Sequence, residues 1–286
     1  MVLRVLTSVV LIPAIVAAVL WAPTAALAAL AALVLLLALD EFFRLAERQA
    51  MHGYRFWTML CALGLLYAQW AAGSETRRVA GNFEVIRGLR GGTLSIEGLF
   101  VIFVFGAVLL GVFGKRSLGE TVPAIAASSA AILLIALPFS YTVRMMGVEQ
   151  AGRQILLFTL CLIWAGDMLA YFIGKFAGRI PLAPLLSPKK TWEGAAANLG
   201  ASLIVGLFFA RWMGADVEAM LAVAAVANIV GQLGDLIESA YKRGAGVKDS
   251  GSILPGHGGM LDRIDSLILA APAVWWTADL FLRLQK

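Results

Sequence analysis

The chain has 286 residues, of which 60% are apolar and only 14% are charged. A soluble domain carries roughly a quarter charged residues, so this chain has too little polar surface to cover a globule of its length. The composition excludes an ordinary soluble fold and indicates that lipid is the main solvent. The net charge of +5 needs no nucleic-acid partner, because most of it lies in the connections between apolar segments.

The first apolar block, residues 5–39, contains no charged residue and is interrupted by Pro23. Because a transmembrane helix needs about 20 apolar residues, the block predicts two spans joined by a tight turn at Pro23. A cleaved signal peptide is the alternative, since Arg4 precedes an apolar stretch. A second long apolar segment follows at once, and this favours two retained spans.

Apolar windows of about 19 residues continue along the chain and predict nine spans, with eight as the alternative count. The expected limits are residues 4–21, 24–39, 56–72, 97–113, 123–142, 154–174, 195–213, 217–235 and 264–282. The sequence therefore predicts an all-α integral membrane protein, a polytopic bundle of about nine transmembrane helices. We expect residues 1–150 to form a scaffold, with dimerisation as a second role, and residues 151–286 to form a catalytic region with two polar loops.

The distribution of Lys and Arg predicts the orientation of the bundle. With a cytoplasmic amino terminus, 14 of the 23 Lys and Arg residues fall on the cytoplasmic side. The connection at residues 73–96 argues the other way, because it places four arginines on the opposite side. The overall bias favours a cytoplasmic amino terminus, with both dense polar connections at the cytoplasmic face.

The longer polar connection covers residues 239–265 and combines basic residues with many glycines, which let a backbone approach a ligand closely. Its cations within seven positions are Lys242, Arg243 and Lys248. Two pairs of carboxylates flank the connection, each pair spaced three residues apart and so on one helix face. The pairs are Asp235 with Glu238, and Asp262 with Asp265.

Carboxylates that converge from two helix ends beside a basic loop suit a metal-bound polyphosphate. Mg²⁺ takes one or two protein carboxylates plus phosphate oxygens, and Lys and Arg neutralise the remaining charge. The alternative is a solvated loop at the membrane edge. Asp235 and Asp262 lie next to apolar segments, where an unpaired carboxylate costs a few kcal/mol, and this favours the metal site.

The shorter polar connection, residues 187–194, directly precedes a span. Hydroxyls from Ser187 and Thr191, charge from Lys189 and Lys190, and a following helix amino terminus together make an anion site. A Lys pair at this place is also a common topology signal, so both interpretations stay open.

Two further polar residues are candidates on their own. Asp167 is an acid inside a predicted span, which indicates function by default, with a buried structural hydrogen bond as the alternative. His257 lies among Gly256, Gly258 and Gly259, and it either contacts phosphate or is simply exposed.

These motifs resemble those of a known family. The run K-R-x4-K-D followed by H-G-G-x-x-D-R-x-D, within residues 239–265, is similar to the signature of the phosphatidate cytidylyltransferase (CDP-diglyceride synthase) family. The segment S-P-K-K-T-x-E-G at residues 187–194 resembles the same family, at the expected distance upstream. The likeness covers about the last 120 residues, and the amino-terminal half matches only in its apolar spans. Tyr241 departs from the pattern, where an aliphatic residue, Met or Phe is expected.

The resemblance implies transfer of the cytidylyl group of CTP to phosphatidic acid, giving CDP-diacylglycerol and pyrophosphate in phospholipid biosynthesis. It implies a homodimer in a bacterial inner membrane, an active site facing the cytoplasm, and Mg²⁺, with K⁺ as a second candidate ion. The metal ligands it implies are Asp235 and Asp262, helped by Glu238 and Asp265. The other catalytic residues would be Lys242, Arg243, Lys248, Asp249, His257 and Arg263. The substrate-binding residues would be Asp167, Ser187, Lys189, Lys190, Thr191, Glu193 and Ser239.

Three other classes of protein compete with this interpretation. A CTP-dependent lipid kinase would have a similar site but would transfer the γ-phosphate. A CDP-alcohol phosphotransferase would carry the pattern D-G-x2-A-R-x8-G-x3-D-x3-D, which the sequence lacks. A transporter would spread polar residues near the bilayer midplane, whereas here they gather at span ends.

Overall fold

The computed structural model describes residues 2–74, 76–79, 82–85, 95–114, 116–148, 151–253 and 258–284. The helices are α1 Val2–Trp21, α2 Thr24–Glu47, α3 Arg55–Ser74, α4 Ile96–Phe113, α5 Leu118–Ala131, α6 Leu137–Gly147, α7 Gly152–Ala177, α8 Trp192–Met213, α9 Val217–Gly244 and α10 Leu261–Leu284. Two antiparallel hairpins complete the described elements, one of β1 Thr76–Val79 with β2 Asn82–Val85, the other of β3 Pro181–Ala183 with β4 Ser187–Thr191.

The described residues form nine helices, because α5 and α6 join through a π-helical segment, Ile132–Ala136, into one continuous helix. Seven of these helices are long and apolar enough to cross a membrane, and α1 and α3 complete the nine. The prediction of an all-α polytopic membrane protein is therefore confirmed. Pro138 lies two residues after the end of the π-helical segment, and its missing N–H and bulky ring account for the widened turn.

Capping residues in the sequence determine where α8 begins and ends and where α9 begins. Thr191 caps α8, its Oγ1 accepting a hydrogen bond from the Gly194 amide at 3.2 Å, and Asp216 caps α9 through the Ala219 amide at 2.8 Å. Gly214 ends α8 in the left-handed conformation, with a φ of 62°. These caps satisfy amide groups that helix ends leave unpaired.

Helices α7 to α10 pack as consecutive neighbours, α7 on α8, α8 on α9 and α9 on α10. The contact of α9 with α10 is close, because a Cβ on Gly234 would lie only 2.6 Å from the carbonyl oxygen of Asp265. Helices α2 and α6, from the amino-terminal half, also contact α10. A division at residue 150 stays a prediction, and residues from both sides of it contribute to one hydrophobic cluster.

Candidate functional site

The two polar connections meet at one end of the bundle. The Arg243 guanidinium, at the end of α9, donates a hydrogen bond from Nε to the carbonyl oxygen of Leu186 at 3.2 Å. Lys190, in β4, forms an ion pair with Asp235 of α9. The β3–β4 hairpin therefore lies against the end of α9, and the charged groups of both connections face one region.

Three carboxylates form a compact group at the α9–α10 contact. Oxygens of Asp235, Glu238 and Asp265 lie within 4.8 Å of one another. Asp235 and Glu238 come from one face of α9, and Asp265 comes from the first turns of α10. The predicted spacing of acids on helix faces thus brings three of the four expected carboxylates together.

Two lysines neutralise part of this charge, and one carboxylate oxygen is left for a ligand. Lys190 pairs with Asp235, and Lys242 pairs with Glu238. The side chain of Glu238 is buried, and its Oε1 receives no hydrogen bond from any residue that the structure describes. A buried carboxylate oxygen without a donor, beside two further carboxylates, fits a cation. The group can therefore hold a metal ion.

Asp262 occupies a different position from the other three acids. Its Oδ1 accepts from Lys242 Nζ at 2.6 Å, and its Oδ2 accepts from the amides of Ser250 at 2.9 Å and Gly259 at 2.7 Å and lies 2.9 Å from the Ser250 hydroxyl oxygen. These three donors occupy both oxygens, so Asp262 joins the loop to α9 and lies outside the group of three. Metal binding by Asp262 stays a prediction, and the contacts favour Asp265 and Glu238 in that role.

A cavity of about 640 Å³ opens beside the carboxylates. Its predicted lining residues are Asp167, Lys189, Lys190, Thr191 and Asp235. Its wall on α7 and β3 includes apolar and aromatic groups, among them Ala170, Tyr171 and Leu182. A cationic mouth joined to an apolar wall suits a ligand with an anionic head and an apolar body.

A ladder of amide side chains, which we call the polar ladder, links α7, α8 and α9 below the cavity. Asn198 donates to Asp167 Oδ1 at 3.2 Å, and Asn228 donates to Asn198 Oδ1 at 2.5 Å and to Ser202 Oγ at 2.6 Å. Gln232 donates in turn to Asn228 Oδ1 at 2.7 Å. The structural hydrogen bond considered for Asp167 is therefore present, and the same carboxylate also lines the cavity.

Asn228→Ala should lower the melting temperature of the detergent-solubilised protein by several degrees. The substitution removes two donated hydrogen bonds and the shorter of the two bonds that Gln232 donates, and buried interhelical hydrogen bonds in membranes contribute about 0.6–2 kcal/mol each. Thr142→Val is the matched control, because the buried Thr142 hydroxyl donates to the Phe139 carbonyl of its own helix at 2.8 Å. Equal melting temperatures for Asn228→Ala and the parent protein would show that the polar ladder does not stabilise the fold.

The remaining predicted residues fall into three groups. Lys248, Asp249 and Arg263 are exposed. Ser239 is buried, Ser187 is half-buried in β4, and Glu193 accepts a hydrogen bond from the Ile180 amide at 3.3 Å, which closes the hairpin. His257 lies outside the described residues. The structure thus places Asp167, Asp235, Lys189 and Lys190 at the cavity and leaves Lys248 and Arg263 exposed to solvent.

Sequence reasoning missed several residues that the structure places at or next to this site. Lys175, Asn198, Gln232 and Ser266 line the cavity, and Glu41 contacts the loop before α10. Asn198 and Gln232 are uncharged, so a search for charged motifs passes over them. The signal for Glu41 was its place beside Asp40 at the end of an apolar segment, where an acid is costly without a partner.

The fold and site define a polytopic membrane protein with three clustered carboxylates beside a partly apolar cavity. Two lysines form ion pairs with these carboxylates. A family model described as the cytidylyltransferase family matches residues 2–281. The chain belongs to this family, as the motifs predicted. The match also reaches the amino-terminal half, which is wider than the 120 residues over which the motifs suggested a likeness.

Curated relatives are similar to parts of the chain. A phosphatidate cytidylyltransferase of Brucella abortus biovar 1 (strain 9-941) is 33% identical over 241 residues, covering 80% of this chain and 85% of the relative. The enzyme of Bacillus subtilis (strain 168) is 38% identical over 153 residues, covering 53% and 57%. That of Staphylococcus aureus (strain COL) is 44% identical over 126 residues, covering 43% and 48%. The chain thus spans about half the length of these last two relatives.

Proposed function

We propose that this protein is a phosphatidate cytidylyltransferase, which converts CTP and phosphatidic acid into CDP-diacylglycerol and pyrophosphate. The observation that carries the proposal is the cluster of three carboxylates beside a cavity that has an apolar wall. One of the three, Asp235, lines that cavity and is paired with Lys190. One substrate is a metal-binding triphosphate and the other is an anionic lipid, so a site for both needs these two chemistries side by side. The family and the names of the curated relatives support the same reaction.

The reaction joins two anions. A phosphate oxygen of phosphatidic acid forms a bond to the α-phosphorus of CTP, and the bond between that phosphorus and the oxygen bridging to the β-phosphate breaks. Pyrophosphate leaves with the bridging oxygen. The attacking phosphate is already ionised, so no general base is needed, and the main task of the site is to neutralise and orient charge.

The residues of the site divide this task. Asp235, Glu238 and Asp265 would hold Mg²⁺, which when bound neutralises phosphate charge and polarises the reacting phosphorus. Lys190 and Lys189 reach the same cavity and would bind phosphate oxygens, while the exposed Arg243, Lys248 and Arg263 would attract the triphosphate from solvent. K⁺ would be a second ion at the active site, in addition to Mg²⁺.

The lipid substrate would lie along the apolar side of the cavity. Tyr171 and Leu182 line that side, and Tyr171 is 57% exposed. The glycerol and acyl chains would contact this wall, and the phosphate would reach toward Lys190. Asp167, held by the polar ladder, lines the same cavity, where it would orient bound groups by hydrogen bonding.

Purified protein in detergent with CTP, phosphatidic acid and Mg²⁺ should release pyrophosphate and CDP-diacylglycerol in equal amounts. ATP should not replace CTP, and removal of divalent cations with a chelator should stop the reaction. Activity with ATP, or undiminished activity after chelation, would contradict the proposal.

We further propose that the protein is a homodimer in a bacterial inner membrane and that its active site faces the cytoplasm. The excess of Lys and Arg in the connections on the site's side supports this orientation. The amino-terminal helices would serve as scaffold and dimer contact, and the helices after residue 150 would carry most of the catalytic groups.

The orientation can be tested with single cysteines in a background that lacks Cys61 and Cys161. Lys189→Cys and Ser252→Cys lie at exposed positions in the two polar connections, and Glu218→Cys is an exposed control at the opposite end of α9. In intact cells, a membrane-impermeant thiol reagent should label only Glu218→Cys. Labelling at Lys189→Cys or Ser252→Cys before permeabilisation would place the site on the outer face.

A further inference from the structure

A buried acid from the amino-terminal half, Glu41 of α2, reaches into the loop that precedes α10. The residue has no solvent exposure. Its Oε2 accepts from the Ser250 hydroxyl at 2.8 Å and from the Leu261 amide at 2.8 Å, and its Oε1 accepts from the Met260 amide at 2.9 Å. These donors lie 209 to 220 positions away in sequence, so one carboxylate joins two distant parts of the chain.

The loop is shaped around this carboxylate. A Cβ on Gly251 would lie 2.4 Å from Glu41 Oε1, and a Cβ on Gly259 would lie 2.2 Å from Glu41 Oε2. Both distances are shorter than any normal contact, so any larger residue at either position would displace the carboxylate or the loop. The two glycines are therefore part of the binding site for Glu41.

Glu41 also completes the start of α10. The first amides of a helix have no partner inside the helix, and the positive end of the helix dipole favours an anion. The amides of Met260 and Leu261 find their acceptors on Glu41, in the place where many helices use a residue of their own chain segment. The first turns of α10 carry Asp262 and Asp265, so the position of Glu41 is transmitted to both.

Ser250 connects Glu41 to the rest of the site. Its hydroxyl lies 2.8 Å from Glu41 Oε2 and 2.9 Å from Asp262 Oδ2. Asp262 in turn accepts a hydrogen bond from Lys242, and Lys242 forms an ion pair with Glu238, one of the three clustered carboxylates. A continuous set of contacts thus runs from α2 to the candidate metal ligands.

We infer that Glu41 is a positioning residue for the reaction, which fixes the glycine-rich loop and α10 so that Asp265 reaches Asp235 and Glu238. The expected loss of activity rests on the proposed function. The expected loss of order in the loop and at the start of α10 rests only on the contacts described above. It gives the amino-terminal half a direct part in the site. Glu41 does not touch substrate in this account and acts only through the groups it holds.

Glu41→Gln is the most informative substitution, because every partner of Glu41 is a donor. Glutamine keeps the size of the side chain but replaces one acceptor oxygen with an NH₂ group that faces these donors. We expect kcat to fall by about 100-fold, as for a misplacement on the order of 1 Å at a reacting centre. The KM for phosphatidic acid should change by less than about threefold, since Glu41 is not among the residues that line the cavity.

Glu47→Gln is the matched control on the same helix. Glu47 is exposed and pairs with Arg55 at 3.0 Å, so its substitution should leave kcat unchanged. Ser250→Ala is a milder second variant, which removes one donor and should lower kcat by about tenfold. The variant with both Glu41→Gln and Ser250→Ala should be no slower than Glu41→Gln alone, because the two residues act as one unit.

A spin label gives a readout that does not depend on activity. A label on Ser252→Cys, in the loop, should become more mobile when Glu41→Gln is introduced, while a label on Glu218→Cys should not change. If the parent protein makes no CDP-diacylglycerol, the proposed function fails and the label still tests Glu41. The inference is overturned if Glu41→Gln keeps kcat within about twofold of the parent, or if the Ser252 label is unchanged. Should Glu41→Gln fail to fold, Ser250→Ala decides by the same two readouts.

Discussion

Asp235→Asn and Asp265→Asn should each lower kcat by about 100-fold or more, the scale expected when a major electrostatic contribution is removed. Both carboxylates belong to the group of three within 4.8 Å, and asparagine keeps their size while removing the charge that a divalent cation requires. The protein should remain folded, because each substitution reduces like-charge repulsion within the group. Steady-state kinetics at saturating Mg²⁺, with a melting curve of each variant, measures both effects.

The double variant should lose little more activity than either single variant, because groups that hold one ion act as a unit. Asp216→Asn is the matched control: it caps α9 at the opposite end of the helix, and asparagine caps as well as aspartate. Two single variants that both stay near the parent activity would rule out a shared ion at this group.

Asp262→Asn separates two roles for the fourth acid. Asp262 accepts from Lys242, Ser250 and Gly259, so its substitution should lower the melting temperature as well as kcat. If Asp262→Asn loses activity and metal affinity but keeps its melting temperature, Asp262 is a metal ligand, as the sequence motifs implied.

Lys242→Met should destabilise the protein by about 3–5 kcal/mol, the cost of removing one partner from a buried ion pair. The Lys242 side chain is 11% exposed and lies between the carboxylates of Glu238 and Asp262. Methionine fills a similar volume but leaves two buried carboxylates facing each other without a cation. The melting temperature in detergent, followed by tryptophan fluorescence, should therefore fall strongly.

The matched control for Lys242→Met is Lys248→Met, at an exposed position six residues further along. We expect it to leave the melting temperature unchanged, whatever it does to CTP binding. A Lys242→Met variant that melts within about 2 °C of the parent would mean that the buried carboxylates find another way to lose their charge.

The nine helices could be predicted from the sequence because the thickness of a bilayer sets the length of an apolar helix. Two of the predicted helices were too short at their carboxyl ends. Helix α2 continues to Glu47 and α9 to Gly244, whereas apolar windows stop near the first charged residues, at 39 and 235. Because of this, Glu41, Glu238 and Lys242 lie on helices, at fixed angles to their neighbours, and not in loops.

The acids of the candidate site could be predicted from their spacing, but their partners could not. Spacing by three residues puts Asp262 and Asp265 near one helix face, yet only the packed structure shows that loop amides and Lys242 take up the oxygens of Asp262. The pairing of Glu41 with Ser250 joins positions 209 apart, and no local pattern encodes such a contact. The short β3–β4 hairpin also went unpredicted, since β3 has only three residues and the polar strand β4 lacks the alternation that marks a half-buried strand.

Labelled phosphorus atoms of CTP show directly which phosphoryl group the protein transfers to the lipid. Purified protein should be incubated with phosphatidic acid and Mg²⁺, once with CTP labelled at the α-phosphate and once with CTP labelled at the γ-phosphate. We expect the α-label to appear in the lipid as CDP-diacylglycerol and the γ-label to appear only in pyrophosphate. Transfer of the γ-label to lipid would contradict the account and identify a CTP-dependent lipid kinase instead.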